Sequence, residues 1–376
     1  MNPPAISTVP APHAVAMPIA PTAMPHERFL ATRSFGSLDG LRAFSILAVV
    51  WHHTVPPLAA WIGTARGFLG VDLFFTISGF LIVTLIMRER RKSGAISLRN
   101  FYARRFLRIF PLYYAFLLGM LGISFVLKGG HSLGVRHEIA WCFVYLTNWV
   151  EMSTFLAITW SLSAEEQFYL VWPPIERFLG NRATIALGAL LAGTLAVQLS
   201  HVYLGFFPGL GPMLWQATFL PILLGVALAH ALDTARGFAL VHRLVGWRGA
   251  PIVFLGILLL ALSYPGQDIS GFPRIGSHLS FAALLASCVV REDHALAAGL
   301  RFPLLARIGV VSYGMYILHQ PCRQVATMVL DRLGHGGDGI PLFVVTLVLT
   351  VAVAEMSYRY FETPMLRLKR RFETAR

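Results

Sequence analysis

Arg42 and His53 stand eleven positions apart in the run LDGLRAFSILAVVWHHT. At 100° per residue that separation is three helical turns plus about 20°, so one helix would carry both on one face, ~16 Å apart along its axis. His52 would point about 80° away from Arg42. Arg105 and Arg108, in NFYARRFLRIFPLYY, are spaced i, i+3 and also share a face. A guanidinium offers a planar fork of donors that suits phosphate oxygens. A neutral imidazole can accept a proton near neutral pH. The chemistry these residues suggest is anion capture by arginines, Arg104 included, and proton transfer at His53.

The elements that must position them are membrane helices. The chain has 376 residues, 56% of them hydrophobic and only 13% charged, which points to a polytopic membrane protein. Apolar stretches long enough to cross a bilayer core of ~30 Å occur near 38–60, 67–87, 108–128, 160–179, 183–206, 211–232, 248–265, 275–291, 308–330 and 341–361. The expectation is therefore an all-α bundle of about ten transmembrane helices. The segment 139–149 is too short to cross and reads as interfacial or re-entrant. Residues 1–35, rich in Pro, Ala and Met, read as a disordered tail, 36–366 as the membrane domain, and 367–376 as a basic tail.

The net charge is +13, from 31 basic and 18 acidic residues. Its distribution argues for cytoplasmic loops facing a lipid bilayer rather than for nucleic acid. Arg88, Arg90, Arg91, Lys92, Arg99, Arg104 and Arg105 form the densest basic cluster and follow the second span. Ten spans place this cluster, and those near Arg177, Arg243, Arg301 and Arg367, on one side, with both termini inside. Cys142, Cys288 and Cys322 are scattered through apolar surroundings and form neither a metal spacing nor a disulfide framework.

More polar groups lie within the apolar stretches: Asp72, the Glu165–Glu166 pair, His319, Glu355, Arg359 and Glu362. Each could pair with another across the bundle. Their number favours a site, because ionisable side chains are costly in lipid and usually face a wet cavity or a partner. A transporter or flippase with a proton relay would also use such groups.

Six motifs occur in one order: LDGLRAFSILAVVWHH, GVDLFFTISGFLI, RRFLRIFPLYY, WSLSAEEQFYLVWP, SYGMYILHQP and YFETP. Together they resemble the acyltransferase 3 family of membrane-bound O-acyltransferases over about residues 35–366. The resemblance implies a bacterial inner-membrane enzyme that transfers an acetyl group from cytoplasmic acetyl-CoA to a hydroxyl of a saccharide, without a metal. The family's arginine–histidine pattern falls on Arg42 and His53, and its double-arginine pattern on Arg105 and Arg108. It implies that Arg104, Arg105 and Arg108 hold the donor and that His53 acts as the base or as the carrier of a transient acyl group, assisted by Arg42, Glu165 and Glu166. Asp72, His319 and Tyr169 become candidates for binding the acceptor. Some members carry an extra hydrolase-like domain. Without one, the membrane domain or a partner glycan-biosynthesis protein is expected to complete the transfer.

Overall fold

The computed structural model describes residues 25–32, 34–56, 62–126, 130–207, 219–263, 269–334 and 338–372. The described residues are helical, with no strand among them. The helices are α1 (Pro25–Ala31), α2 (Ser37–Thr54), α3 (Gly70–Ser93), α4 (Leu98–Val126), α5 (Gly130–Phe143), α6 (Trp160–Leu179), α7 (Ala183–Leu204), α8 (Leu220–Asp233), α9 (Ala235–Val245), α10 (Ala250–Leu262), α11 (Gly271–Val290), α12 (Pro303–Arg332), α13 (Gly339–Ser357) and α14 (Thr363–Lys369). A π-helical turn, Tyr358–Glu362, joins the last two.

Helix ends follow local chemistry. α3 stops at Gly94, whose φ of 75° lets its N–H reach the Arg90 carbonyl. α12 begins with Pro303 in its first turn, where the missing N–H costs nothing. α3 is the centre of the bundle, packed against α2, α6, α8 and α11. α3 and the 3₁₀ helix Ile62–Leu69 that leads into it meet α2 backbone on backbone. A Cβ on Gly67 would come within 2.0 Å of the Ala48 carbonyl oxygen, and one on Gly70 within 2.4 Å of that of Ser45. Only hydrogen fits there, the small-residue packing that membrane helices use. α2 meets α12 in the same way, with Gly309 against the Asp39 carbonyl.

A helix occupies each of the ten apolar intervals, but ten crossings do not follow. Among the described residues, five helical segments are long and apolar enough to cross a membrane: Arg66–Ser93, Leu98–Val126, Phe155–Leu204, Gly271–Val290 and Gly339–Lys369. A sixth arises if α8 and α9, bent by 113° at Thr234, count as one broken span. Two expected spans, 160–179 and 183–206, fall in the single segment Phe155–Leu204. α2 and α12 are 18 and 30 residues long but carry Arg42, His52, His53, Arg307 and Arg323. α10, with 13 residues, is about 20 Å long and shorter than a bilayer core. Five or six segments among the described residues thus meet the length and composition of a crossing, and the expected ten are not all of that kind. Residues 211–218 of the expected sixth span lie outside the described residues.

Residues 1–24 of the expected tail also lie outside them. Pro25–Ala31 forms α1, with Phe29 packed on Phe35 and Phe238.

Candidate functional site

A cavity of about 490 Å³ runs along α3. Its wall on that helix extends from Lys92 up to Val71, about 32 Å at the helical rise. Among the described residues its lining includes seven basic side chains, Arg42, Arg88, Lys92, Arg104, Arg105, Arg108 and Lys369, against two acidic ones, Glu89 and Glu165.

Several of these charges are already engaged. Arg104 donates to Glu89 at 2.7 Å and to the Phe372 carbonyl at 2.7 Å. Arg88 donates to the Thr32 and Phe29 carbonyls at 2.6 and 3.2 Å. Arg42 donates to Asp39 at 3.0 Å. Tyr169 donates to Glu165, and its ring lies 4.7 Å from the Arg105 guanidinium. Arg108 is half-buried. Its electrostatic neighbours are Arg42 and Arg105, with Tyr169 and Glu362 on the other side. Three guanidinium groups from two helices thus gather where like charges repel. Such a cluster suits a multiply charged anion, phosphate above all.

The inner end of the cavity is lined by Ser161, Ser312, Tyr313 and Tyr316. The Tyr316 hydroxyl donates to the Ile158 carbonyl at 2.7 Å and lies 2.6 Å from Ser161 Oγ. His319 follows one turn later on α12. Its Nδ1 lies 2.6 Å from the Tyr316 carbonyl, an oxygen that can only accept, so Nδ1 carries the proton. Nε2 is then the lone-pair nitrogen, buried and without a hydrogen-bond partner. The His319 ring sits 5.1 Å from His53 and 5.8 Å from Tyr316, centroid to centroid. His52 turns towards Phe68, with ring centroids 5.4 Å apart.

The structure therefore brings Arg42, Arg104, Arg105, Arg108, Glu165 and Tyr169 around one cavity. It sets His53 and His319 beside each other, behind Tyr316. It does not bring Asp72 or Glu166 to that cavity. Asp72 accepts from His278 at 3.0 Å and lies 3.5 Å from Arg274, both on α11. Glu166 lies outside the lining, with Tyr113 and Tyr114 of α4, Tyr145 beyond α5, and the lining residues Arg105 and Tyr313 as electrostatic neighbours. Glu355 accepts from Arg307 at 2.7 Å and from Arg359 at 2.6 Å, a pairing within the bundle. Cys142, Cys288 and Cys322 are buried and free.

Sequence reasoning missed Tyr316, Ser161, Ser312 and Lys369. Ser312, Tyr316 and His319 lie within about 60° of one another on a helix. That stripe was the available signal, hidden because an aromatic in an apolar run reads as packing.

Compared with known proteins, residues 35–358 match the family model of an acyltransferase domain, Acyl_transf_3. The chain is similar to O-acetyltransferase OatA of Staphylococcus aureus strain NCTC 8325 / PS 47, 27% identical over 366 residues, which cover 90% of this chain and 58% of that protein. It is also similar to a putative O-acetyltransferase of Staphylococcus aureus strain COL, 28% identical over 362 residues, 88% of this chain and 57% of the other. The chain thus spans a little over half the length of these relatives. No solved structure matches it.

Proposed function

The chain belongs to the acyltransferase 3 family, and from that premise we propose that it is a membrane O-acyltransferase moving an acetyl group from cytoplasmic acetyl-CoA to a hydroxyl of a saccharide acceptor. The convergence of Arg42, Arg105 and Arg108 on one cavity lined further in by Tyr316, whose ring lies 5.8 Å from His319 of the His53–His319 pair, carries this reading. The phosphates of the donor rest on Arg105 and Arg108, with Arg104 and Arg42 adding positive potential. The pantetheine arm follows α3 inward, bringing the thioester towards His53.

His53 removes the proton from the acceptor hydroxyl as the oxygen attacks the thioester carbonyl. The C–S bond then breaks, the acetyl group leaves on the acceptor oxygen, and CoA departs as the thiolate, which takes up a proton. General-base assistance of this kind is worth roughly 10²–10⁴ in rate. Glu165, held by Tyr169, orients the reacting groups from the cavity wall. Asp72 has a packing role in this reading, since its carboxylate is taken up by α11. The names of the relatives support O-acetyl transfer, and the saccharide acceptor follows from the motifs. The protein sits in the bacterial inner membrane with both termini in the cytoplasm, and glycan-biosynthesis proteins are its expected partners.

The test is acetyl-CoA binding to the purified full chain, together with mass spectrometry of surface glycans from cells with and without it. Binding in the micromolar range and loss of one acetyl mass from a glycan are expected. Absence of donor binding would remove the reading.

A further inference from the structure

The cavity stops before it reaches the histidines. It is lined by Ser312, Tyr313 and Tyr316 of α12 but not by His319 or His53. Ser312, Tyr316 and His319 rise along one side of α12 in steps of about 6 and 4.5 Å. Tyr316 is therefore the last side chain between the cationic cavity and the imidazole pair. Its ring is only 7% exposed. Its hydroxyl bridges to the Ile158 carbonyl and to Ser161, across the gap between α12 and the start of α6. The wall beside it is also fixed. Phe75 lines the cavity and meets Trp160 edge-on, with centroids 5.8 Å apart.

We infer that Tyr316 limits the length of the acyl group the protein transfers, by closing the inner end of the cavity in front of His319 and His53. This rests on the acyl-donor reading above. A two-carbon acyl group passes the edge of the anchored ring. A longer chain meets the ring, Phe75 and Leu162, and displaces them only by breaking the hydroxyl's contacts. A closed apolar wall of this kind discriminates by roughly tenfold or more per misfitting methylene.

The experiment uses the full chain in permeabilised membranes that retain their native glycans. Acetyl-, butyryl- and hexanoyl-CoA serve as donors. Release of CoA thiol gives kcat/KM, and competition against labelled acetyl-CoA gives affinity. In the wild type, hexanoyl-CoA should compete within about threefold of acetyl-CoA yet transfer at least a hundredfold more slowly, since the phosphates bind elsewhere. Tyr316→Ala should raise the hexanoyl-to-acetyl ratio of kcat/KM at least tenfold. Tyr316→Phe keeps the ring but loses its anchor, and should raise that ratio by less than Tyr316→Ala does. Wild-type protein that transfers both chains alike would overturn the inference whether or not the variants fold, as would an unchanged ratio in a folded Tyr316→Ala protein. If no acyl-CoA binds at all, the donor reading falls with it. Tight donor binding without chain-length selection removes the role of Tyr316 alone.

Discussion

His53 of α2 and His319 of α12 lie ring against ring, with centroids 5.1 Å apart, and the His319 proton is fixed on Nδ1 by the Tyr316 carbonyl. His52 lies equally close to the His53 ring, at 5.1 Å, but its other ring contact is Phe68 rather than His319. The two adjacent histidines should therefore separate cleanly on substitution. His53→Ala is expected to lower acyl transfer by at least a hundredfold while acetyl-CoA affinity stays within about threefold, because a lost base removes rate rather than ground-state binding. His52→Ala should retain most of the activity. Transfer and affinity measured on purified variants check this, and equal losses in both would remove the assignment.

Arg105 and Arg108 line the cavity, and among the described residues no carboxylate is hydrogen-bonded to either. Arg108→Lys keeps the charge but loses the fork, and should weaken acetyl-CoA binding about tenfold. Arg105→Ala should do so by a similar factor and should also release the Tyr169 ring. Isothermal titration in detergent reads both. Unchanged affinity in both would reduce the pair to anchors at the membrane surface.

Asp72 supplies the opposite case. Its carboxylate is enclosed by Arg274 and His278, and removing one partner of a buried ion pair costs about 3–5 kcal/mol. Asp72→Ala should lower the melting temperature clearly and leave donor affinity in the surviving folded protein unchanged. A selective loss of transfer at normal stability would return Asp72 to the acceptor site.

His294 makes stability depend on pH. It lies in the segment between α11 and α12, 3% exposed, with Nε2 2.9 Å from Ser37 Oγ at the start of α2. Burial, with Arg301 nearby, lowers its pKa from 6.5 to about 4. The unfolded chain binds this proton more readily, so the stabilisation is complete above about pH 6.5 and declines as pH falls towards 4. Thermal unfolding from pH 7.5 to 4.5 should show that decline, reduced in His294→Gln. A flat profile would contradict it.

Topology is open to reporter fusions. Reporters after Lys92, after Gly246 and in the tail should all give cytoplasmic signals, since the basic clusters sit there. A periplasmic signal after Lys92 would invert the arrangement.

The arginine cluster was legible because helical spacing is local. Arg105 and Arg108 needed only a three-residue step, and the Arg42–His53 stripe only a helix that runs unbroken from Ser37 to Thr54. What the sequence hid was long-range. Asp72 looked like a site residue because its partners on α11 are more than 200 residues away. Tyr316 looked like packing because nothing nearby in sequence announces Ser161 and Ile158. The number of segments apolar enough to cross fell below the expected ten for another reason. Hydropathy assumes that each apolar run stands alone in lipid, whereas α2 hides its polar groups against α3 and α12, and α8 turns sharply into α9.

The glycine contacts on α2 also decide how the protein can move. Gly40 abuts the Leu300 backbone, Gly309 the Asp39 carbonyl, and Gly70 and Gly67 the carbonyls of Ser45 and Ala48. These seams grip α2 at three heights, Asp39–Gly40, Ser45 and Ala48, so sliding or rolling would drive backbone into backbone and α2 serves as a fixed axle. Arg42 and His53 keep a constant separation through a working cycle. Room for a long, hinged substrate has to come from side chains turning about that axle, or from α4 and α6 shifting on the far wall.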